Sequence, residues 1–257
     1  MKSLSSYLNT INECIIVCTE IDGNPVLSKT RDRNYKFNVN INKTVVNGVE
    51  VCYYTDSITD WSEGLNEFGI SIVNSALLLS RDENIKAAKN FDGSIIREAL
   101  SKPTIIDALK TIISYKGGLI GNTLITDGNI TYSVEKLVGY PAIVRRESKS
   151  VVLTNHARDF QKNRHIFGDP YRSSFIRQEQ IKKNLEEFTD IEKIMSHSTH
   201  SEYSPNNVVK KIKEIWTTAQ IYMYPKDLKL VYKDFVDTDI NITDEVGENS
   251  KIKVVIK

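Results

Sequence analysis

Cysteine is scarce in this chain: three residues in 257, at positions 14, 18 and 52. Three is an odd number, no two are spaced as Cys-x-x-Cys, and none lies near histidines at zinc-ligand spacing. A disulfide framework and a structural zinc site are thereby excluded as the organising principle. A surplus of one charge is also lacking. Thirty-four Lys and Arg face 33 Asp and Glu, a net charge of +1, so there is no electrostatic footprint for nucleic acid or an acidic membrane. No window reaches the roughly 20 apolar residues needed to span a bilayer. Residues 1–13, MKSLSSYLNTINE, hold no apolar centre and no small-residue cleavage box, so they do not read as a secretory signal. With 12 Gly, 6 Pro and no low-complexity tract, the chain is neither collagen-like nor disordered. These absences point to a cytoplasmic, reducing setting, with no membrane span and no nucleic-acid partner.

What is present is an ordered series of strand and helix signals. Residues 14–21 (CIIVCTEI) are apolar and β-branched, and Asp22-Gly23-Asn24-Pro25 is a turn cluster before a second strand, 26–31. Asn47-Gly48 and Asp127-Gly128 mark two further hairpins, joining 42–46 to 49–54 and 119–126 to 129–136. Strands are expected also at 69–74, 141–147, 150–154, 217–224 and 228–233. Helices are expected at 82–89, 94–101, 104–115, 173–187, 190–196 and 205–215, the last from Ser204-Pro205 read as N-cap and first helical residue. Strands in antiparallel hairpins and helices in two blocks do not fit the βαβ alternation of a parallel sheet. The expected fold class is α+β: two mainly antiparallel sheets between helical layers, in a single domain over 14–236, with 237–257 a partly ordered tail.

The hairpin register singles out one cysteine. With Asp22-Gly23 as the two-residue turn, Cys14 falls directly opposite Arg31. A turn centred one residue later would pair Cys14 with Arg33 and leave Arg31 close. A guanidinium beside a thiol favours the nucleophilic thiolate. The competing reading is a buried apolar cysteine, the default also for Cys18 and Cys52.

These residues resemble a known family. Cys14, Asp22-Gly23 and Thr30-Arg31-Asp32-Arg33-Asn34-Tyr35 are similar to the opening of the N-terminal nucleophile (Ntn) cysteine hydrolases. The branch is that of linear-amide hydrolases: bile salt hydrolases, penicillin V acylases, acid ceramidase-like amidases and isopenicillin N acyltransferases. Further segments follow in the same order: Gly64-Leu65-Asn66-Glu67-Phe68-Gly69 leading to Asn74, Gly121-Asn122-Thr123, Thr154-Asn155-His156, Ser173-Ser174-x-x-Arg177, and the closing hairpin 217–232. Together they span about 14–234.

The resemblance implies a four-layer αββα sandwich and a chemistry. Cys14 would be the nucleophile at a mature N-terminus freed by self-removal of residues 1–13, with its own α-amine as base. Arg31 would hold charge at the thiolate, and Asn155 would offer its amide to the oxyanion. A backbone N–H near Asn74-Ser75 would be the second donor, and Arg177 would complete the polar network. Asp32, Thr154 and His156 are supporting candidates. No metal and no cofactor is implied, and the implied partner is a small-molecule N-acyl amide; a homo-oligomer stays open. The family reads Arg-Asn-x-Asp where this chain has Arg31-Asp32-Arg33-Asn34, so an amide replaces a carboxylate at Asn34.

The expected function is therefore an amidohydrolase or acyltransferase working through an acyl-thioester on Cys14. The alternative is a non-catalytic or unprocessed protein of the same fold, and a lesser variant takes Cys18 as nucleophile after a 17-residue leader. The remaining signals have plainer readings. His197-x-x-His200 and His165 read as loop residues and Lys210-Lys211-x-Lys213 as the wet face of a helix. Trp61, Phe160 and Phe167 are candidates for an acyl pocket or for core.

Overall fold

Asp22 and Gly23 both take positive φ, 49° and 77°, the backbone of a two-residue hairpin turn whose twist suits the strands it joins. The turn folds β1 (Asn12–Ile21) onto β2 (Asn24–Arg33) in the computed structural model, which describes residues 12–78, 93–117, 121–137, 139–148, 150–159, 169–213 and 215–257. Asn47 and Gly48, at 53° and 80°, do the same between β3 (Val39–Val46) and β4 (Val49–Asp56). β5 (Ser62–Asn66) and β6 (Ser71–Ser75) follow, then β7 (Gly121–Thr126), β8 (Thr131–Lys136), β9 (Ile143–Glu147) and β10 (Val151–Leu153). The chain closes with β11 (Trp216–Tyr224), β12 (Lys229–Asp234), β13 (Ile240–Asp244) and β14 (Lys253–Ile256).

These strands form two sheets, ordered β10-β1-β2-β11-β12-β14 and β13-β3-β4-β5-β6-β7-β8-β9. Every pairing is antiparallel except β12 with β14 and β3 with β13. The sequence leaves 237–257 as a tail; in the structure it contributes a parallel edge strand to each sheet.

Burial falls into layers. Ile16, Cys18, Leu27, Val39, Ile41, Cys52, Leu65, Val73, Ile221 and Met223 pack between the two sheets. The outer face of the eight-stranded sheet (Val51, Ile72, Ile125) packs on α1 (Ser94–Leu100) and α2 (Ile105–Ser114). The outer face of the six-stranded sheet (Ile15, Val17, Val26) packs on α3 (Asp169–Glu187) and α4 (Ile191–Ser196). The alternation along β1 is thus Cys14, Ile16 and Cys18 toward the facing sheet, and Glu13, Ile15 and Val17 toward the helices. Each fully buried Ile or Leu stabilises the sandwich by about 1.5–3 kcal/mol. The molecule is an α+β sandwich of helices, sheet, sheet and helices, as the sequence leads one to expect.

The motif at 64–69 is structural. A Cβ on Gly64 would lie 2.1 Å from the Cys52 carbonyl oxygen, so only glycine lets β5 lie against β4 there. Asn66 accepts the N–H groups of Phe68 and Ile70, and its amide donates to the carbonyls of Leu100 and Lys102. One side chain therefore ties the β5–β6 turn to the end of α1.

Residues 205–213 are turns, not the expected helix. Local side chains take the backbone amides a helix would use. Ser204 Oγ accepts from Asn206 N–H and Asn207 Oδ1 from Val209 N–H. Lys210 then pairs with Thr217 through both backbone groups, its N–H to Oγ1 at 2.8 Å and its carbonyl from the Thr217 N–H at 2.9 Å. Lys210 is consequently buried rather than on a wet face. The helix expected at 82–89 lies outside the described residues. Among those described, no helix is long and apolar enough to cross a membrane.

Candidate active site

The register is the one expected from Asp22-Gly23: Cys14 lies opposite Arg31, with Glu13 opposite Asp32. Cys14 is only 1% exposed. Yet the guanidinium on its sulfur is that of Arg33, whose Nη1 is 3.4 Å from Sγ. Arg31 turns toward the facing sheet instead. Its Nη2 meets Asp56 Oδ2 at 2.8 Å, and its guanidinium lies over the rings of Phe37 and Tyr54. An ion pair and two aromatic faces hold it there, leaving the diagonal neighbour to reach the sulfur. The Arg33 nitrogen at the sulfur also faces the carbonyl oxygens of Glu13, at 3.5 Å, and Asp32, at 2.8 Å. Burial opposes the charge of Arg33, but Cys14, Tyr35 and Asp56 more than offset it and raise its pKa.

Lys29 shares this face. It is buried and ion-paired with Glu63, whose Oε1 also accepts the Asn74 N–H at 3.0 Å and the Trp61 indole N–H at 3.3 Å. Burial lowers the pKa of Lys29 against the pull of Cys14 and Glu63. Asp56 closes the group, 3.9 Å from Arg33 Nε and 3.0 Å from the Tyr35 hydroxyl. Burial raises its pKa, but Arg31 and Arg33 prevail and lower it. Three buried cations and two buried carboxylates thus form one network between the sheets, and Arg33 is its contact with the sulfur.

Asn155, just beyond β10, approaches from the other side because β10 pairs with β1. Its Oδ1 accepts the Cys14 N–H at 2.9 Å and Arg177 Nη2 at 3.2 Å. Its Nδ2, the expected oxyanion donor, donates to Ser75 Oγ at 3.1 Å and to the Ala76 carbonyl at 2.7 Å. Ser75 Oγ in turn faces the carbonyls of Thr154, at 2.9 Å, and Cys14, at 3.4 Å. Of the backbone N–H groups expected near Asn74-Ser75 as the second donor, that of Asn74 is bound to Glu63. Thr154, His156 and Ser174 form a clamp between β10 and α3. His156 Nδ1 lies 3.0 Å from both hydroxyls, its ring stacks on Phe175, and Ser174 Oγ accepts the Asn155 N–H.

On the helix face of the sheet lies a second buried charge cluster. Arg177 binds Asp32 through Nη1 at 2.8 Å and Glu13 through Nη2 at 2.9 Å. Lys210 also binds the Glu13 carboxylate, and Thr217 donates to Asp32 at 2.7 Å. Burial raises the Glu13 pKa, but Arg177 and Lys210 outweigh it and lower it overall. For Asp32 burial wins over the same two cations, and the pKa is raised. Asp32 therefore faces away from the sulfur, and Asn34 lies beyond the end of β2, half-buried.

Lys29, Asp56 and Glu63 are charged residues that the sequence reading passes over, Glu13 enters it only as the end of the leader, and Lys210 is read there as a wet-face lysine. A signal exists for some of them: Lys29, Arg31 and Arg33 alternate with the period of a strand on the face that carries Cys14. The other cysteines have no cation on sulfur among the described residues. Cys18 lies 3.3 Å from Thr131 Oγ1 with its thiol pushed up by burial, and Cys52 is pushed up to about 12 the same way. Trp61 is buried in the α1–α2 layer, while His165, Phe160 and Phe167 lie outside the described residues. His197 stands edge-on to Phe188.

No family model matches the chain, and no curated protein matches its sequence. Among solved structures the chain is similar to penicillin V acylase from Agrobacterium tumefaciens, at a TM-score of 0.49 and 10% identity over 88% of this chain and 87% of that one.

Proposed function

We propose that this protein is an amide-cleaving enzyme of the Ntn type, with Cys14 as nucleophile, made competent by breaking its own Glu13–Cys14 bond. One observation carries the reading. The thiol, the carbonyl oxygen and the N–H at that peptide bond each have a partner: Arg33 Nη1 faces both Cys14 Sγ and the Glu13 carbonyl oxygen, and Asn155 Oδ1 holds the Cys14 N–H. The ordered motifs of the Ntn cysteine hydrolases support it independently.

The chemistry follows from those contacts. Cys14 Sγ attacks the Glu13 carbonyl carbon through a five-membered ring, and Arg33 faces the negative charge as it moves from sulfur to oxygen. The C–N bond breaks, the nitrogen takes the proton given up by the thiol, and Glu13 is left as a thioester. Water hydrolyses it, giving a Glu13 carboxylate, a free thiol and a free α-amine. An α-amine with a pKa near 7.7–8.0 is a competent base at neutral pH. It then takes the thiol proton for attack on an N-acyl amide and returns it to the departing amine, and water or an acceptor amine resolves the acyl-thioester. Arg33 on the sulfur and Lys29 within its electrostatic reach suit a step that builds negative charge there. The three unpaired cysteines suit a reducing, cytoplasmic setting.

A second reading, an uncleaved protein that binds rather than turns over, is favoured by the Asn155 amide, engaged at both ends. Intact mass separates the two. The amidase reading expects release of residues 1–13 from the wild type, full-length Cys14→Ala, and a trapped acyl adduct on Cys14 with an activated ester. A wild type that stays whole and unacylated would overturn the amidase reading.

A further inference from the structure

We infer that Arg177 and Lys210, which hold the Glu13 carboxylate in the uncleaved chain, become the binding site for a carboxylate on the acyl half of the substrate. The inference rests on the amidase reading above and specifies its substrate class. In the self-cleaving step Glu13 is itself the acyl donor: its carbonyl is the one attacked, and its side chain marks a direction open to the acyl group of that step. That side chain passes to the helix face of the six-stranded sheet and ends between Arg177 Nη2, at 2.9 Å, and the Lys210 ammonium.

Departure of Glu13 leaves this pocket unbalanced. Arg177 keeps Asp32 and Asn155. Lys210 makes no other salt bridge among the described residues, and Asp32 is the remaining carboxylate that acts on it. Its backbone is fastened at both ends to Thr217, and the residue is 1% exposed. Two buried cations, Arg177 and Lys210, are then left to share the single Asp32 carboxylate, a costly arrangement that an incoming anion relieves. The length of that anion is also set. Three carbons separate the glutamate carboxylate from its own carbonyl, the skeleton of a glutaryl or glutamyl acyl group. The substrate class is therefore an amide of a five-carbon dicarboxylic acid, its free carboxylate turning past the new strand terminus at Cys14.

The test compares two chromogenic amides on the mature protein produced from the full-length chain, glutaryl-4-nitroanilide and pentanoyl-4-nitroanilide, which differ only in the terminal carboxylate. The expected result is a kcat/KM at least roughly ten-fold higher for the glutaryl amide, since a site built around a charged partner rejects the analogue that lacks it. That ratio falls toward one in Lys210→Met and is retained in Lys210→Arg. Should Lys210→Met fail to mature, protection of the wild-type Cys14 from iodoacetamide by free glutarate, and not by pentanoate, carries the same information. Equal or preferred cleavage of the pentanoyl amide, or equal protection by the two acids, overturns the inference and leaves the amidase standing. A chain that neither matures nor acylates removes both.

Discussion

Arg33 contacts the sulfur of Cys14, at 3.4 Å, although Arg31 is its partner across the strands. The two arginines point the same way from β2 but have different partners, one at the Cys14 sulfur and the Glu13 carbonyl and one at the Asp56 carboxylate of the facing sheet. Their replacements should separate. Arg33→Met should slow release of residues 1–13 by roughly 10²-fold or more, the usual loss when a charge-stabilising donor is removed. Arg31→Met should instead lower stability by about 3–5 kcal/mol by removing the closer cation of a buried ion pair. A mass-resolved time course and a urea titration of each variant check this. Equal slowing by both would remove the special place given to Arg33.

Lys29 and Glu63 form a closed buried pair between the sheets, and Glu63 also fixes the start of the Asn74 segment. Lys29→Met alone should cost about 3–5 kcal/mol, because the Glu63 carboxylate is left without a cation. The double variant Lys29→Met/Glu63→Gln should recover much of that loss, since no buried charge remains. Denaturation midpoints of the single and double variants measure the coupling.

The lowered pKa of Glu13 makes an acid-stability signature for the uncleaved chain. A carboxylate whose folded pKa lies below its unfolded value contributes stability that is fully present above that unfolded value, here near 4.5, and is lost as pH falls through the folded pKa. Asp56 has the same sign, and the raised Asp32 the opposite one. In a Cys14→Ala background, which keeps Glu13 attached, Glu13→Gln should reduce stability at pH 6–7. The difference should shrink as pH drops below about 4.5. Urea titrations across that range test it, and a gap that stays constant with pH would show that the Glu13 charge contributes nothing.

The sandwich was legible because its signals are local. Asp22-Gly23 and Asn47-Gly48 set hairpin registers through two dihedrals each, and the period-two alternation of β1 and β2 says which residues share a face. That is enough to put Cys14 opposite Arg31. Which guanidinium reaches the sulfur depends on Asp56, Phe37 and Tyr54, and no property of residues 14–33 encodes them. Lys210 shows the other limit. Ser204-Pro205 is a sound helix start taken alone, yet Asn207 and Thr217 bind the backbone first and turn the lysine inward. Residue order alone does not show that this lysine ends beside Glu13, nearly 200 positions away.

Asn155 offers the sharpest distinction between expectation and structure. The resemblance gives its Nδ2 to an oxyanion; in the uncleaved chain that nitrogen is bound to Ser75 and Ala76, and Oδ1 holds the amide that would become the catalytic amine. Asn155→Ala removes both functions, while Asn155→Asp keeps an acceptor for the Cys14 N–H and loses the donor. If positioning of the nitrogen is what self-cleavage requires, Asn155→Asp should mature within about ten-fold of wild type while Asn155→Ala falls by roughly 10²-fold. Comparable loss in both would assign the requirement to the donor. The mature Asn155→Asp enzyme then separates the second step. If Nδ2 swings to the oxyanion only after residues 1–13 depart, kcat on an added amide should fall while KM holds, because the lost contact forms only in the transition state.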